Sequence, residues 1–246
     1  MAAIPVNQCP KIPGVFKSLP SVLAVLSNYA EDKPVKELLD IYNKNAETWQ
    51  SIEKPREHKF IVFEGLDGSG KSLLTKLTAS RLKGKCVVTP PKCISHLRAH
   101  FDSLEDQHLR RAFYSLGNYL AAGEVRALLR HNSVIMDRFW HSTAAYAIAN
   151  QGELGDVPQS IYSWPSDLLK PDLAVFLTVS EDVRIERMSR RKNFTWEEDQ
   201  LKANADYRNL LTETYRKMES PSLEFINCDG PAEDVVDEVV SLCSEN

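Results

Sequence analysis

The stretch Gly65-Leu-Asp-Gly-Ser-Gly70-Lys71-Ser72 constrains this chain more than any other, because it matches G-x-x-x-x-G-K-[ST] in full. Each residue type answers a physical need. The glycines let backbone N–H groups turn into one concavity around anionic oxygens. A helix beginning near Gly70 adds its positive end. Lys71 reaches the β- and γ-phosphates of a nucleoside triphosphate, and the Ser72 hydroxyl ligates Mg2+. The pattern also occurs by chance, so its flanks decide. Residues 60–64 before it read as a short apolar strand, and Leu73, Leu74 and Leu77 after it begin a helix. With strand, loop and helix in order, Gly65, Asp67, Gly68, Ser69, Gly70, Lys71, Ser72 and Leu73 are the expected contacts for ATP and its Mg2+.

From Lys59 onward the same alternation repeats. Strand candidates fall at 60–64, 86–90, 134–137, 173–179 and 223–227, each short, apolar and bounded by turn residues or charges. Helical spacing recurs between them, as in Leu109, Phe113, Leu116 and Leu120. Thr195-Trp-Glu-Glu198 reads as a capping box for a helix running to about Met218. The expected fold is therefore α/β, a doubly wound five-stranded parallel sheet flanked by helices, over residues 57–246. Residues 1–56 differ. Two helix candidates there, one over 18–27 and one opening at Pro34, predict a helical N-terminal extension, read as a packing accessory.

Charge and cysteine usage narrow the partners. Thirty Lys and Arg against 34 Asp and Glu leave a net charge of −4, which disfavours nucleic-acid binding. Cys9, Cys86, Cys93, Cys228 and Cys243 form no C-x-x-C pair, so free thiols in a reducing compartment are expected. No apolar run approaches the roughly 18 residues of a membrane helix. The N-terminus has no signal or transit pattern: the first arginine is Arg56, and Glu31 and Asp32 come early. That the chain is part of a longer protein stays open.

A second constellation, Asp137-Arg138, follows the strand at 134–137. Ligands of doubly wound sheets bind at the carboxyl ends of strands. An acid and an arginine there serve a metal and a phosphate, or else form a structural ion pair, and these residues alone leave both readings open.

The spacing of Phe63-Glu-Gly-Leu-Asp-Gly-Ser-Gly-Lys-Ser72 and Asp137-Arg-Phe-Trp-His-Ser142 resembles the thymidylate kinase family. Arg111-Ala-Phe-Tyr-Ser-Leu-Gly-Asn-Tyr119 and Lys170-Pro-Asp-Leu-Ala-Val-Phe-Leu177 follow the family's order, and the likeness covers roughly 58–244. The runs at 110–118, 140–143 and 164–172 draw it toward the family's mitochondrial UMP–CMP kinase branch.

The resemblance implies a P-loop nucleoside monophosphate kinase and assigns roles. Phe113 matches the ring that stacks on the acceptor pyrimidine. Arg138 matches the arginine on the acceptor phosphate, with Asp137 beside the metal. Asp67 is placed near the acceptor sugar, Tyr146 packs against that sugar, and Ser142 belongs to the same wall. Lys92 and Arg98 are rivals for a second phosphate cation. Arg187 matches the arginine against adenine, and Arg190 and Arg191 fall in a lid at about 188–196. Members specific for thymidine monophosphate carry an arginine four residues after the stacking ring. Here that position is Gly117, which favours CMP, dCMP, UMP and dUMP. The phosphate loop holds no arginine, so the transition-state cation is expected from the lid. A homodimer and a mitochondrial location are further implications. The alternatives are a thymidylate or deoxynucleoside kinase, the latter using a base such as Glu64, and a nucleotide-sensing module without turnover.

Overall fold

The computed structural model describes residues 12–49, 57–152, 158–189 and 204–245. Five strands form the frame: β1 (Phe60–Gly65), β2 (Lys85–Val88), β3 (Val134–Asp137), β4 (Leu173–Thr178) and β5 (Glu224–Asn227). They pair in parallel in the order β2-β3-β1-β4-β5. β2 starts at Lys85 and ends at Val88, where the sequence suggested 86–90. Pro90 and Pro91 follow, and proline has no N–H to extend a ladder.

Successive side chains point to opposite faces of a strand, and here they sort into two cores. Phe60, Val62, Val134, Met136, Ala174 and Phe176 face one; Ile61, Phe63, Ile135, Val175 and Leu177 face the other. The second core is closed by Leu74 of α3 (Lys71–Arg81) and by Val235, Val236 and Val239 of the C-terminal helix (Ala232–Glu245). The first is closed by α5 (Gln107–Leu128), α6 (Trp140–Ala149) and α8 (Ala205–Arg216), through Leu116, Ile148 and Tyr215 among others. Covering both faces explains why β1 is buried along its whole length.

Among the described residues the remaining α-helices are α1 (Leu19–Ser27), α2 (Lys33–Ala46), α4 (Arg98–Asp102) and α7 (Glu181–Ser189), the C-terminal helix being α9. α1 and α2 bury Val22, Leu26, Val35 and Leu38 in the same core as α5. Polar ties add to this: the Tyr29 hydroxyl donates to Asp106 at 2.7 Å, and Asp106 itself caps α5. The N-terminal helices thus share the core of the parallel sheet.

Register fixes the site. Phe63 lies opposite Asp137, and the Arg138 N–H donates to the Phe63 carbonyl at 2.9 Å. The phosphate loop after β1 and the Asp-Arg pair after β3 therefore leave the sheet side by side.

Candidate active site

A cleft of about 710 Å3 opens along the carboxyl ends of these strands. One end is the phosphate loop. Gly70 sits at φ +95°, a left-handed conformation that glycine adopts without strain, and α3 begins at the next residue. The Lys71 ammonium is 7% exposed and donates to the carbonyls of Gly65 (2.9 Å) and Leu66 (2.8 Å). Burial lowers its pKa to about 8. The Ser72 hydroxyl donates to Asp137 Oδ2 at 2.6 Å. Two hard oxygen donors converging beside the phosphate cradle suit Mg2+, which takes one or two protein oxygens and fills its shell with phosphate and water.

The loop is braced from α7. Arg184 is 1% exposed, clamps Glu181 through Nε and Nη2 (both 2.8 Å), and passes under the loop at the Asp67 carbonyl. Arg187 donates to the carbonyls of Ser69 (3.3 Å) and Cys228 (2.9 Å) and lines the cleft there. Gly230 and Ala232 continue this wall beside Arg187. The segment after β5 was missed by motif matching. The rule that ligands sit beyond strand carboxyl ends points to it.

Arg138 dominates the other end. Its Nη2 donates to Asp67 at 2.7 Å and its Nη1 to Ser142 at 3.1 Å, and its guanidinium lies 5.8 Å from the Tyr146 ring centre. Burial works against the charge, but Asp67, Tyr146, Tyr215 and Glu64 together outweigh it, and the pKa is raised well above the ordinary arginine value. Asp67 also lies 4.0 Å from Lys71, so one carboxylate links Lys71 and Arg138. Arg138 has φ +66°; strain of this kind at a non-glycine residue gathers at functional sites.

Glu64 lies beneath, fully buried. Its Oε1 accepts from the N–H groups of Phe139 (2.9 Å) and Ser142 (3.2 Å) at the start of α6. Its Oε2 accepts from the Ser142 hydroxyl and from Tyr215 (3.4 Å). Burial pushes its pKa up, opposed by Arg138 and these hydrogen bonds. Glu64 is thus absorbed in holding α6. His141 is also fully buried, and desolvation lowers its pKa to about 4, so it stays neutral with Nε2 3.3 Å from the Pro221 carbonyl.

Asp67, Gly68, Ser69, Gly70, Lys71, Ser72, Leu73, Arg98, Asp137, Arg138, Ser142, Tyr146 and Arg187 all line this one cleft. Four other expected residues do not. Gly65 ends β1 beneath the loop, and its carbonyl accepts from Lys71. Phe113 is fully buried, stacked on Phe101 at 4.4 Å between ring centres; the adjacent Tyr114 is the ring on the cleft wall. Gly117 faces Ile94, Pro90 and Pro91. Lys92 is exposed and off the lining, whereas its rival Arg98 is on it. Helical geometry accounts for the shift: Arg111 and Tyr114, three apart, share the face of α5 turned to the cleft, and Phe113 points into the core. Arg190 and Arg191 lie outside the described residues. So does the expected lid, except Met188 and Ser189, which end α7, and so does the capping box at 195–198. Cys86, Cys93, Cys228 and Cys243 are free thiols. Among the described residues no helix is long and apolar enough to cross a membrane.

Comparison with known proteins gives a consistent picture. The thymidylate kinase family model matches residues 63–239. Human mitochondrial UMP-CMP kinase 2 is 38% identical over 188 residues, which are 74% of this chain and 42% of that protein. The chain thus spans less than half of that relative. A probable thymidylate kinase of Methanococcus maripaludis (strain C6) is 28% identical over 184 residues, 72% of this chain and 89% of that protein. Among solved structures, the thymidylate kinase of Candida albicans aligns with a TM-score of 0.58 at 22% identity, over 77% of this chain and 92% of that one.

Proposed function

The chain belongs to the thymidylate kinase family, and from that premise we propose that it transfers the γ-phosphoryl group of ATP to a pyrimidine nucleoside monophosphate, with CMP, dCMP, UMP and dUMP preferred to thymidine monophosphate. The observation that carries this is the continuity of the cleft: the phosphate loop and the Arg98–Arg138–Tyr114–Tyr146 wall share it. Arg98 and Arg138 suit an acceptor that brings its own phosphate.

The acceptor phosphate has a second pKa near 6, so its attacking oxygen is anionic at neutral pH and needs no base. Catalysis then rests on holding two anions in line and balancing their charge. Lys71 serves the donor phosphates and Arg138 the acceptor phosphate, with Asp67 fixing both cations. Mg2+ held by Ser72 and Asp137 would neutralise charge on the donor's phosphate oxygens. Arg190 and Arg191 are proposed as the lid cations that meet the transferring group and exclude water. Neither candidate position four residues beyond the ring holds an arginine: Gly117 follows Phe113 and Asn118 follows Tyr114. The base edge therefore lacks the donor that thymidine specificity uses, which supports the cytosine and uracil reading. A homodimer and a mitochondrial setting belong to the same proposal, supported by family membership and by the name of the human relative.

The test is ADP release with ATP, Mg2+ and a panel of monophosphates beside their nucleosides. Cytidine and uridine monophosphates should turn over fastest and nucleosides not at all. Preference for the thymidine compound refutes the base assignment. Turnover of nucleosides refutes the acceptor class, and nucleotide binding without turnover points to a sensing module.

A further inference from the structure

Arg111 is a cleft-lining cation whose side chain is 5% exposed. Behind it runs the N-terminal segment 12–17. Gly14 has φ +90°, and a Cβ built there would stand 2.7 Å from Arg111 Cγ, 2.8 Å from Arg111 Cβ and 3.5 Å from Ala147 Cβ. The backbone at Gly14 therefore lies directly on the aliphatic stem of Arg111, wedged against α6 one residue beyond the cleft-lining Tyr146.

The wedge is anchored on every side. Ile12, Val15 and Phe16 are buried. The Phe16 ring stacks on His108 at 5.2 Å and 14°, and His108 lies one turn before Arg111 on α5. The Trp140 indole N–H of α6 donates to the Phe16 carbonyl at 3.5 Å. Lys17 lies over the Trp140 ring at 4.9 Å and donates to the Ser163 carbonyl. The Leu19 N–H donates to Asp167 Oδ2 at 2.7 Å, and Tyr119 of α5 donates to the other oxygen at 2.6 Å. A long flexible arginine loses much rotamer freedom when held, and a rigid backing carries that cost before any ligand arrives.

We propose that residues 12–17 are a working part of the acceptor site, backing Arg111 so that its guanidinium contacts the bound monophosphate. Arg111 is the substrate-contacting residue and Gly14 its positioning residue. A planar guanidinium takes a phosphate with two parallel hydrogen bonds. The N-terminal extension then serves specificity as well as packing. This inference rests on the acceptor-site reading above.

Arg111→Gln keeps the Cβ and Cγ on which Gly14 rests and removes the charge. Gly14→Ala keeps the charge and disturbs its backing. Both should raise the KM for CMP by about tenfold or more, the scale of a charge-assisted hydrogen bond, while the KM for ATP stays fixed. The double variant should be no worse than Arg111→Gln alone, because both act through one group. If Gly14→Ala does not fold, Phe16→Leu disturbs the same segment and takes its place. Calorimetric titration of CMP into the wild-type chain separates the two levels of the argument: no binding defeats the acceptor reading itself. Normal wild-type binding with an unchanged CMP KM in Arg111→Gln, or strictly additive effects, overturns this inference.

Discussion

Glu64 offers a sharp test, because the two kinase readings assign it opposite roles. As a base it would have to reach a sugar hydroxyl; in the fold both oxygens are committed to Phe139, Ser142 and Tyr215. Glu64→Ala strands two buried backbone N–H groups and two hydroxyls. Breaking such a buried charged network costs about 3–5 kcal/mol, which for a domain of this size lowers Tm by about 10 °C or more. Glu64→Gln is different. Its amide oxygen still accepts from Phe139 and Ser142, and its NH2 donates to the Ser142 oxygen, whose own proton turns to Tyr215. The fold should stay within about 1.5 kcal/mol of wild type. Activity with CMP should stay within about tenfold, whereas loss of a general base costs roughly 10²–10⁴. Its pH signature also has a definite sign. Burial holds the folded pKa above the unfolded one, so the folded state binds the extra proton between the two. Wild-type stability therefore falls as pH rises from the ordinary glutamate range through the raised value, and Glu64→Gln lacks that fall. Thermal melts across pH, with coupled ADP-release assays, measure both. A Glu64→Gln protein that melts normally yet has lost at least about 10²-fold in activity refutes the structural role.

Lys71, depressed to about 8 in the free protein, should regain its proton against phosphate. ATP binding measured by titration should then weaken as pH rises through about 8, and this dependence should vanish in Lys71→Met. Arg138→Ala should lower kcat/KM for the acceptor by roughly 10³ with far-ultraviolet dichroism unchanged; full activity would remove Arg138 from the site. Ser72→Ala and Asp137→Asn should each raise the Mg2+ concentration giving half-maximal rate, and an unchanged Mg2+ profile in both would move the metal elsewhere.

The frame was legible because burial on two faces writes itself as continuous apolar runs. Residues 134–137 matched β3 to the residue, and 60–64 missed only Gly65 at the end of β1. The candidate over 18–27 and the one opening at Pro34 correspond to α1 (Leu19–Ser27) and α2 (Lys33–Ala46), although the apolar spacing sets no end for the second. Nothing in one sequence says what an amphipathic helix packs against. That α1 and α2 would share a core with α5, and that a turn at Gly14 would rest on a side chain 97 positions later, are long-range facts that local pattern does not carry.

The site divides along the same line. Backbone-determined parts, the phosphate loop and the pair at the end of β3, were readable because glycine placement and strand ends fix them. Parts set by helix rotation were not. On α5 a change of one residue turns a side chain by about 100°, so Phe113 and Tyr114 point to different worlds although they are neighbours. Correcting that register carries a consequence for specificity. With Tyr114 as the ring, the position four residues on is Asn118, which is 1% exposed. Its Nδ2 donates to the cleft-lining Thr143 hydroxyl at 3.0 Å, while its Oδ1 has no hydrogen-bond partner among the described residues. An amide can present either oxygen or NH2 after rotation, so under the proposed function Asn118 would accept cytosine and uracil edges alike, where a fixed arginine donor would select one. The same observation that puts Tyr114 rather than Phe113 on the cleft wall thus names a residue on which the proposed pyrimidine preference can be tested. Asn118→Arg should shift preference toward the thymidine compound in the acceptor panel, and an unchanged ratio would detach Asn118 from the base edge.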